Sequence, residues 1–395
     1  MKTLMAMEME ESEGQRRFEI DGNSLTLLPG GPERLAKLKQ LIGGAERRLD
    51  LYFYIFTHDA CAVEIRDALL EACRRGVAVT LLVDAFGSAL TPDSLFAPLV
   101  AAGARFTRFG QRRSTRYLIR NHQKMAIADG TRALIGGFNI GEDYFAPDDD
   151  PLGWRDMGVL VEGPLVGELQ QWFDGLADWT LDSRQRFRDL RRMVRDWRPG
   201  VSRTMWLIGG PLPRLNSWAR HLKHDLQAGR RLDMAAAYFS PGGSMGRRIG
   251  RLARAGEAHL VTAGRSDNMA TIGAARHLYA RLLRAGVTIV EHDRQKLHAK
   301  LIAIDDIAYV GSANFDMRSL FLNVEVMLRI EDEAFAEAIR RQIGTIAALG
   351  RPIDDNVYRH MARPLSRLRW WFDYLLVGVL DYTVTRRLLR RDRGD

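Results

Sequence analysis

Two stretches of one form, His122-Gln-Lys124-Met-Ala-Ile-Ala-Asp129 and His298-Ala-Lys300-Leu-Ile-Ala-Ile-Asp305, stand roughly 180 residues apart in a chain of 395 residues. Each puts a histidine and a lysine two positions apart at the head of an apolar run. On a β-strand those two side chains project from one face, and the apolar residues beyond them anchor the strand. An imidazole and an ammonium held side by side suit an anionic phosphate ester. One copy alone is an ordinary surface pattern; two copies in matching surroundings mark a unit used twice.

The surroundings match. Leu49-Asp-Leu-Tyr-Phe-Tyr-Ile-Phe56 and Leu232-Asp-Met-Ala-Ala-Ala-Tyr-Phe239 predict strands, each leading into an amphipathic helix that ends at Gly76 or Gly256. Short apolar strands follow, Val77 to Val83 and His259 to Ala263, and run into loops at Gly87 and Gly264. A second helix closes at Ala102-Gly103 or Ala285-Gly286, ahead of strands Phe106-Thr-Arg-Phe109 and Val287-Thr-Ile-Val290. This alternation predicts two α/β domains with largely parallel sheets covered on both faces, facing each other across a pseudo-twofold axis. Two domains of similar size also fit the length. The boundary falls in Ser183–Gly200, whose seven arginines around Phe187, Met193 and Trp197 read as a solvated helical linker. The expected division is 1–198, 199–350 and a basic tail, 351–395.

After each motif the chain turns back as a second strand and reaches a glycine corner with an asparagine, Gly136-Gly-Phe-Asn139 and Gly311-Ser-Ala-Asn314. Glycine permits close backbone approach, and an asparagine amide can donate to a phosphoryl oxygen. Each half then supplies a carboxylate on an apolar strand: Asp156 in Trp154-Arg-Asp-Met-Gly-Val-Leu-Val, and Glu325 in Asn323-Val-Glu-Val-Met-Leu. A carboxylate bonded to the far nitrogen of an imidazole fixes its tautomer and orientation, and each is expected to serve the histidine of its own half. Asp129 and Asp305 complete the motifs and are carried in the catalytic set, although turn-entry positions favour bonding to backbone N–H groups.

The paired HxKxxxxD motifs with their GGxN and GSxN corners resemble the phospholipase D superfamily over most of the chain. Asn314-Phe-Asp-Met-Arg-Ser-Leu-Phe-Leu-Asn-Val-Glu325 and Asp84-Ala-Phe-Gly-Ser88 are similar to bacterial cardiolipin synthases, the B subgroup above all. The resemblance implies two phospholipase D-like α-β-α sandwich domains with the active site at their interface. It also implies phosphatidyl transfer through a phosphohistidine, with His122 as nucleophile and His298 as acid and base. Lys124, Lys300, Asn139, Asn314 and Ser312 would hold the phosphoryl oxygens. Gly137 stands where the family usually has serine, and the turn after Asp305 is one residue shorter than that after Asp129, which leaves the register of the second hairpin open. The internal symmetry does not say which histidine attacks.

No cofactor is called for, and Asp148-Asp149-Asp150, after a proline, reads as a solvated turn rather than a metal site. The net charge of +9 predicts attraction to polyanions, either nucleic acid or an anionic membrane face. Nothing resembles a nucleic-acid module, so the expected partners are anionic phospholipids at the cytoplasmic face of the cell membrane, with no obligate protein partner. Hydrolysis by water, a nuclease of the same superfamily and a noncatalytic membrane-binding protein are the alternatives. Met1–Glu13 lacks a signal-peptide layout, and no stretch approaches the ~20 apolar residues of a membrane span. Two segments suit a bilayer surface: Arg112–Arg120, with an apolar Tyr117-Leu-Ile cluster, and Leu365–Arg393, with Trp370, Trp371, Phe372, Leu375, Leu376 and Val379 between arginines. The same periodicity would serve a helix packed on the domain. Cys61 and Cys73 read as buried thiols of a reducing compartment.

Overall fold

The computed structural model describes residues 16–110, 119–182, 186–212 and 215–380. Met1–Glu13, most of Arg112–Arg120, Ser183 and the arginine run Arg386–Arg393 lie outside the described residues. The first half comprises β1 (Arg17–Ile20), β2 (Asn23–Leu28), β3 (Arg48–Phe53), β4 (Ala78–Asp84), β5 (Arg105–Phe109), β6 (Lys124–Ala128), β7 (Arg132–Gly136), β8 (Trp154–Arg155) and β9 (Gly158–Glu162). The second comprises β10 (Thr204–Gly209), β11 (Arg231–Ala236), β12 (Phe239–Ser240), β13 (Glu257–Ala263), β14 (Thr288–His292), β15 (Lys296–Leu297), β16 (Lys300–Ile304), β17 (Ile307–Gly311), β18 (Phe315–Asp316), β19 (Glu325–Glu331) and β20 (Arg351–Ile353).

Two eight-stranded sheets result, in the orders β1-β2-β9-β7-β6-β3-β4-β5 and β10-β19-β17-β16-β11-β13-β14-β20. From β2 and β10 to β5 and β14 the sheets correspond strand for strand, as the repeat requires. They are mixed rather than largely parallel. Only β3–β4–β5 and β11–β13–β14 run parallel, because only those strands are joined by crossover segments. The motif strands enter through tight hairpins, which force antiparallel pairing on the rest. The second crossover differs between halves. Met269–Leu283 is a full helix, but Pro92 and Pro98 cut its counterpart to a 3-10 turn, Asp93–Leu95, and a short helix, Ala97–Ala101.

The hairpin registers agree where it matters. Met125 pairs with Ile135 and Leu301 with Val310, so each motif strand meets its partner alike near the site. The missing residue is absorbed at the far end, where Asp129-Gly130-Thr131 in one half is replaced by Asp305-Asp306 in the other. Asp129 and Asp305 both take left-handed backbone there, with φ of 55° and 47°.

Alternate residues along these strands are buried on opposite faces. Met125 and Ile127 join one apolar cluster, while Ala126 and Ala128 join another. The second of these lies between the first sheet and helices Gly31–Gly43 and Ala60–Arg74, and its equivalent lies between the second sheet and helices Ser217–Ala228, Gly243–Ala255 and Met269–Leu283. The remaining cluster is common to both halves. It gathers the inner faces of the two sheets with helices Leu165–Leu181 and Glu333–Ala348. The halves therefore share a middle layer instead of meeting as two finished cores. The Trp206 indole donates to the Leu165 carbonyl at 2.8 Å across it, and Phe18 packs edge-on against Phe335 at 5.0 Å.

The arginine-rich stretch forms helix Phe187–Asp196, with Leu190 and Val194 buried and Trp197 set edge-on against Trp172. β20, in the segment read as tail, pairs with β14 and completes the second sheet. Beyond it, helix Pro364–Tyr374 lies on helix Met269–Leu283 with Trp370 buried, so the packed alternative describes one face of the tail. Ile119 of the first membrane candidate is core. Cys61 is buried and Cys73 half-buried.

Candidate active site

The two motif histidines are positioned by backbone pairing between the halves. β8 runs parallel to β15, pairing Trp154 with Lys296 and Arg155 with Leu297. The His298 and Ala299 amides donate to the Arg155 carbonyl at 2.8 and 2.9 Å. The symmetric contact joins Asn121 to Val324: the His122 amide donates to Val324 O at 2.8 Å, and the Val324 amide to Arg120 O at 2.9 Å. Each motif thus sits beside the other half's carboxylate strand.

This crossing decides which carboxylate serves which ring. Nδ1 of His122 lies 3.2 Å from Glu325 Oε2 and 3.0 Å from the Ser312 carbonyl. Nδ1 of His298 lies 2.6 Å from Asp156 Oδ2. The expected pairs were Asp156 with His122 and Glu325 with His298; the structure exchanges them. The sequence interval between motif and carboxylate is the same kind of signal for either pairing, and only the parallel contacts between halves distinguish them. With Nδ1 turned to a carboxylate, each ring is left with Nε2 for substrate.

Ser312 changes role, and the two readings of Asp129 and Asp305 are decided. Ser312, expected to bind phosphate, donates its hydroxyl to Glu325 Oε2 at 2.5 Å and accepts from the Val326 amide at 3.1 Å, so it holds the carboxylate. Its counterpart, Gly137, has no room for a side chain, because a Cβ there would meet the Asp156 carboxylate. The serine-with-glutamate and glycine-with-aspartate combinations are thus matched pairs, which accounts for the departure at Gly137. Asp129 and Asp305 are at the remote ends of their strands. Asp129 accepts the amides of Glu46, Arg47 and Arg48 at 3.1, 2.8 and 3.0 Å, and Asp305 those of Arg230 and Arg231. They secure the neighbouring strands' starts and do not reach the site. The corner glycines likewise serve strand packing: a Cβ on Gly136 or Gly311 would meet the Met157 or Val326 carbonyl.

Lys124 and Lys300 are buried beneath the histidines, each donating to the carbonyl of its own motif histidine. With Asp156 and Glu325 they make a buried cluster of two amines and two carboxyl groups. Burial, joined by the Lys124 ammonium, lowers His122 to about 4. Burial and Lys300 lower His298 to about 3. Burial also depresses Lys124 strongly and brings Lys300 to about 8. For Asp156 and Glu325 burial acts upward, but His298 with Lys300, and His122 with Lys124, outweigh it and hold both carboxyls below their usual range. Burial thus favours the neutral form of both imidazoles, and a phosphodiester anion beside them favours a proton on one.

Both histidines open into a cavity of about 710 Å³, with Asn139 and Asn314 in its wall. The Asn139 amide oxygen accepts from the Ile55 amide at 3.1 Å, while that of Asn314 is buried without a hydrogen-bond partner among the described residues. Aromatic side chains that no sequence motif marked form the walls. Tyr54 lies edge-on to His122 at 4.8 Å, and Tyr144 and Trp154 to His298 at 5.3 and 5.2 Å. Arg120 stacks on Phe86 at 3.8 Å, and Asp316, Arg318 and Asn323 face it from the second half. Trp154 and Asn323 stand two residues before Asp156 and Glu325, a strand spacing that was available as a signal. Asp84, quoted for its resemblance, accepts the Asn121 amide at 2.9 Å and so braces the residue before His122.

Asp148 pairs with Arg155, and Asp150 caps the turn by accepting from the Leu152 amide. Among the described residues no group of three or more His, Cys, Asp or Glu side chains is arranged to hold a metal ion.

Two like halves sharing one cavity, each histidine held by the other's carboxylate, define a duplicated fold of the phospholipase D type. Residues 38–177 and 223–346 match the family described as cardiolipin synthase, PLD-like domain, and the chain belongs to that family. It is 30% identical to cardiolipin synthase B of Escherichia coli K12 over 360 residues, covering 89% of this chain and 85% of that protein. It is 31% identical to cardiolipin synthase of Geobacillus kaustophilus over 312 residues, 76% of this chain and 61% of that one. The fold is that of the phosphatidylserine synthase crystal structure from Haemophilus influenzae, with a TM-score of 0.72 at 15% identity, covering 95% of this chain and 99% of that one.

Proposed function

We propose that the protein is a phosphatidyltransferase that joins two phosphatidylglycerol molecules into cardiolipin and releases glycerol. The observation that carries the chemistry is the pair of histidines facing one cavity, each with Nδ1 engaged by a carboxylate and Nε2 left for substrate. The kinship with cardiolipin synthases carries the choice of lipid.

In the first step Nε2 of His122 attacks phosphorus, forming a P–N bond as the P–O bond to glycerol breaks, and His298 delivers its Nε2 proton to the departing alkoxide. In the second, His298 takes the proton of the second lipid's glycerol hydroxyl, whose oxygen attacks phosphorus and frees His122. Asp156 holds His298 in the tautomer that presents Nε2 and stabilises the imidazolium. Glu325 does the same for His122. The lysine ammonium groups, Asn139, Asn314 and Arg120 offset charge on the phosphoryl oxygens.

A cavity of about 710 Å³ is of the size that holds one drug-sized ligand, so headgroups fit while acyl chains extend past its mouth. No helix among the described residues is long and apolar enough to cross a membrane, and the proposed setting is peripheral, at the anionic cytoplasmic face. Incubating the protein with phosphatidylglycerol vesicles and following lipids by mass spectrometry tests this. Cardiolipin and glycerol are expected, with phosphoenzyme trapped in His298→Ala and absent in His122→Ala. Phosphatidic acid as the sole product would replace transfer by hydrolysis, and trapping only in His122→Ala would reverse the two roles.

A further inference from the structure

The tail helix is built inside out for a domain helix. Its inner side, against helix Met269–Leu283, carries Trp370, Asp373 and Tyr374. Trp370 lies under the Arg276 guanidinium at 6.0 Å, Tyr374 stacks on His277 at 4.9 Å, and Asp373 occupies the space that a side chain on Gly273 would fill. Its aliphatic stripe points the other way. Leu365, Leu368, Phe372 and Leu376, spaced as one helical face, are 82, 53, 55 and 57% exposed, with Trp371 beside them at 44%. Arg363, Arg367 and Arg369 are exposed on the same segment, Arg369 also pairing with Asp373 at 3.8 Å.

The stripe does not end in open solvent. Leu376 and Val377, in the π-helical segment Leu375–Leu380, line the same cavity as His122 and His298. Met269, 52% exposed, stands next to the cavity residue Asn268 on the facing helix. From Leu365 to Leu376 the stripe is about 17 Å long at the helical rise. It forms an apolar track flanked by cations that leads to the mouth of a site sized for headgroups.

We propose that this stripe is the surface by which the protein enters an anionic phospholipid bilayer, and that Leu376 and Val377 receive the acyl chains while the headgroup passes to the histidines. Anionic lipid meets the arginines and hydrocarbon meets the stripe, the division that an interfacial helix makes. Only the acyl-chain part rests on the lipid-transfer reading above; the bilayer contact stands without it.

The test uses the full chain and a Leu365→Ser/Leu368→Ser/Phe372→Ser variant, none of whose changed residues lines the cavity. A second variant, Arg367→Glu/Arg369→Glu, leaves the apolar stripe intact. Vesicle co-sedimentation is measured with phosphatidylglycerol-containing and pure phosphatidylcholine vesicles, alongside turnover of vesicular phosphatidylglycerol and of short-chain phosphatidylglycerol below its micelle threshold. The serine variant is expected to bind anionic vesicles and turn over vesicular lipid roughly tenfold or more weakly, with short-chain turnover kept. The glutamate variant loses the preference for anionic vesicles. Unchanged vesicle binding overturns the proposal, as does an equal loss on both substrates. Conversion of a dimer to a monomer with vesicle binding intact assigns the stripe to a second copy and also overturns it. If the wild-type protein makes no cardiolipin, the function reading fails, while the co-sedimentation result still judges the stripe.

Discussion

Replacing Asp156 by asparagine keeps the shape of the side chain beside His298 and removes its charge. The two groups are 2.6 Å apart and the carboxylate is fully buried, so solvent does little to screen them. With charge centres about 4 Å apart and an effective dielectric near 20, the protonated ring loses roughly 4 kcal/mol of stabilisation. If His298 is protonated in the rate-limiting step, that is about a thousandfold in kcat. Cardiolipin formation from phosphatidylglycerol vesicles reports the rate, and nitrogen NMR of the rings reports the tautomer. The His298 ring signals are expected to move, and those of His122 to stay. A loss of under tenfold, or a response at His122 in place of His298, would refute the crossed pairing. Glu325→Gln is the mirror experiment at His122.

The remaining outcomes are narrower. The unfolded-state value near 6.5 for His lies above the folded values of about 4 for His122 and about 3 for His298, so the unfolded chain binds more protons as pH falls. Stability is therefore full above about pH 7 and drops below 6.5 by roughly 1.4 kcal/mol per pH unit for each ring, and His122→Gln/His298→Gln flattens that slope in urea melts between about pH 6.5 and 4.5. Lys300, brought to about 8 by burial, loses its charge as pH rises, so kcat/KM declines above about pH 8; a profile flat to about pH 9.5 contradicts this. Gly137→Ser pushes into Asp156 and lowers kcat at least roughly tenfold, and Ser312→Ala removes a hydrogen bond to a charged group, costing about 1.5–3 kcal/mol of hold on Glu325. Asp129→Ala lowers the melting temperature through loss of about 1–3 kcal/mol while leaving kcat within about twofold, and a large kcat loss would return Asp129 to the catalytic set.

Those contrasts show how much could be read in advance. The duplicated order of elements, the apolar motif strands and the asparagine corners are local patterns, written in spacing and apolar alternation, and recur in the structure, although the strands begin at Lys124 and Lys300 with the histidines just ahead of them. The orienting carboxylates were legible as residues and not as pairs, because Asp156 and Glu325 have symmetric surroundings and the choice of partner is a contact between distant strands. Asp129 and Asp305 entered the catalytic set through membership of a motif, but their turn-entry positions already favoured backbone amides as partners, and the left-handed backbone and amide bonds at the strand ends agree with that. The aromatic wall of Tyr54, Tyr144 and Trp154 comes from three segments whose convergence only the folded chain reveals. The tail's periodicity was plain, but which side faced solvent depended on Gly273 and Arg276 of another helix.

The exchanged carboxylates join orientation of the site to cohesion of the whole molecule. Any motion that parts the two sheets withdraws Glu325 from His122 and Asp156 from His298 together, and exposes the apolar layer between them. Catalytic competence and closure of the halves then form one cooperative unit, so substrate traffic falls to the cavity mouth rather than to a hinge. By the same geometry a half-length ancestor could build such a site only as a twofold dimer, each protomer tuning its neighbour's imidazole, and fusion of the two would make that reciprocity permanent.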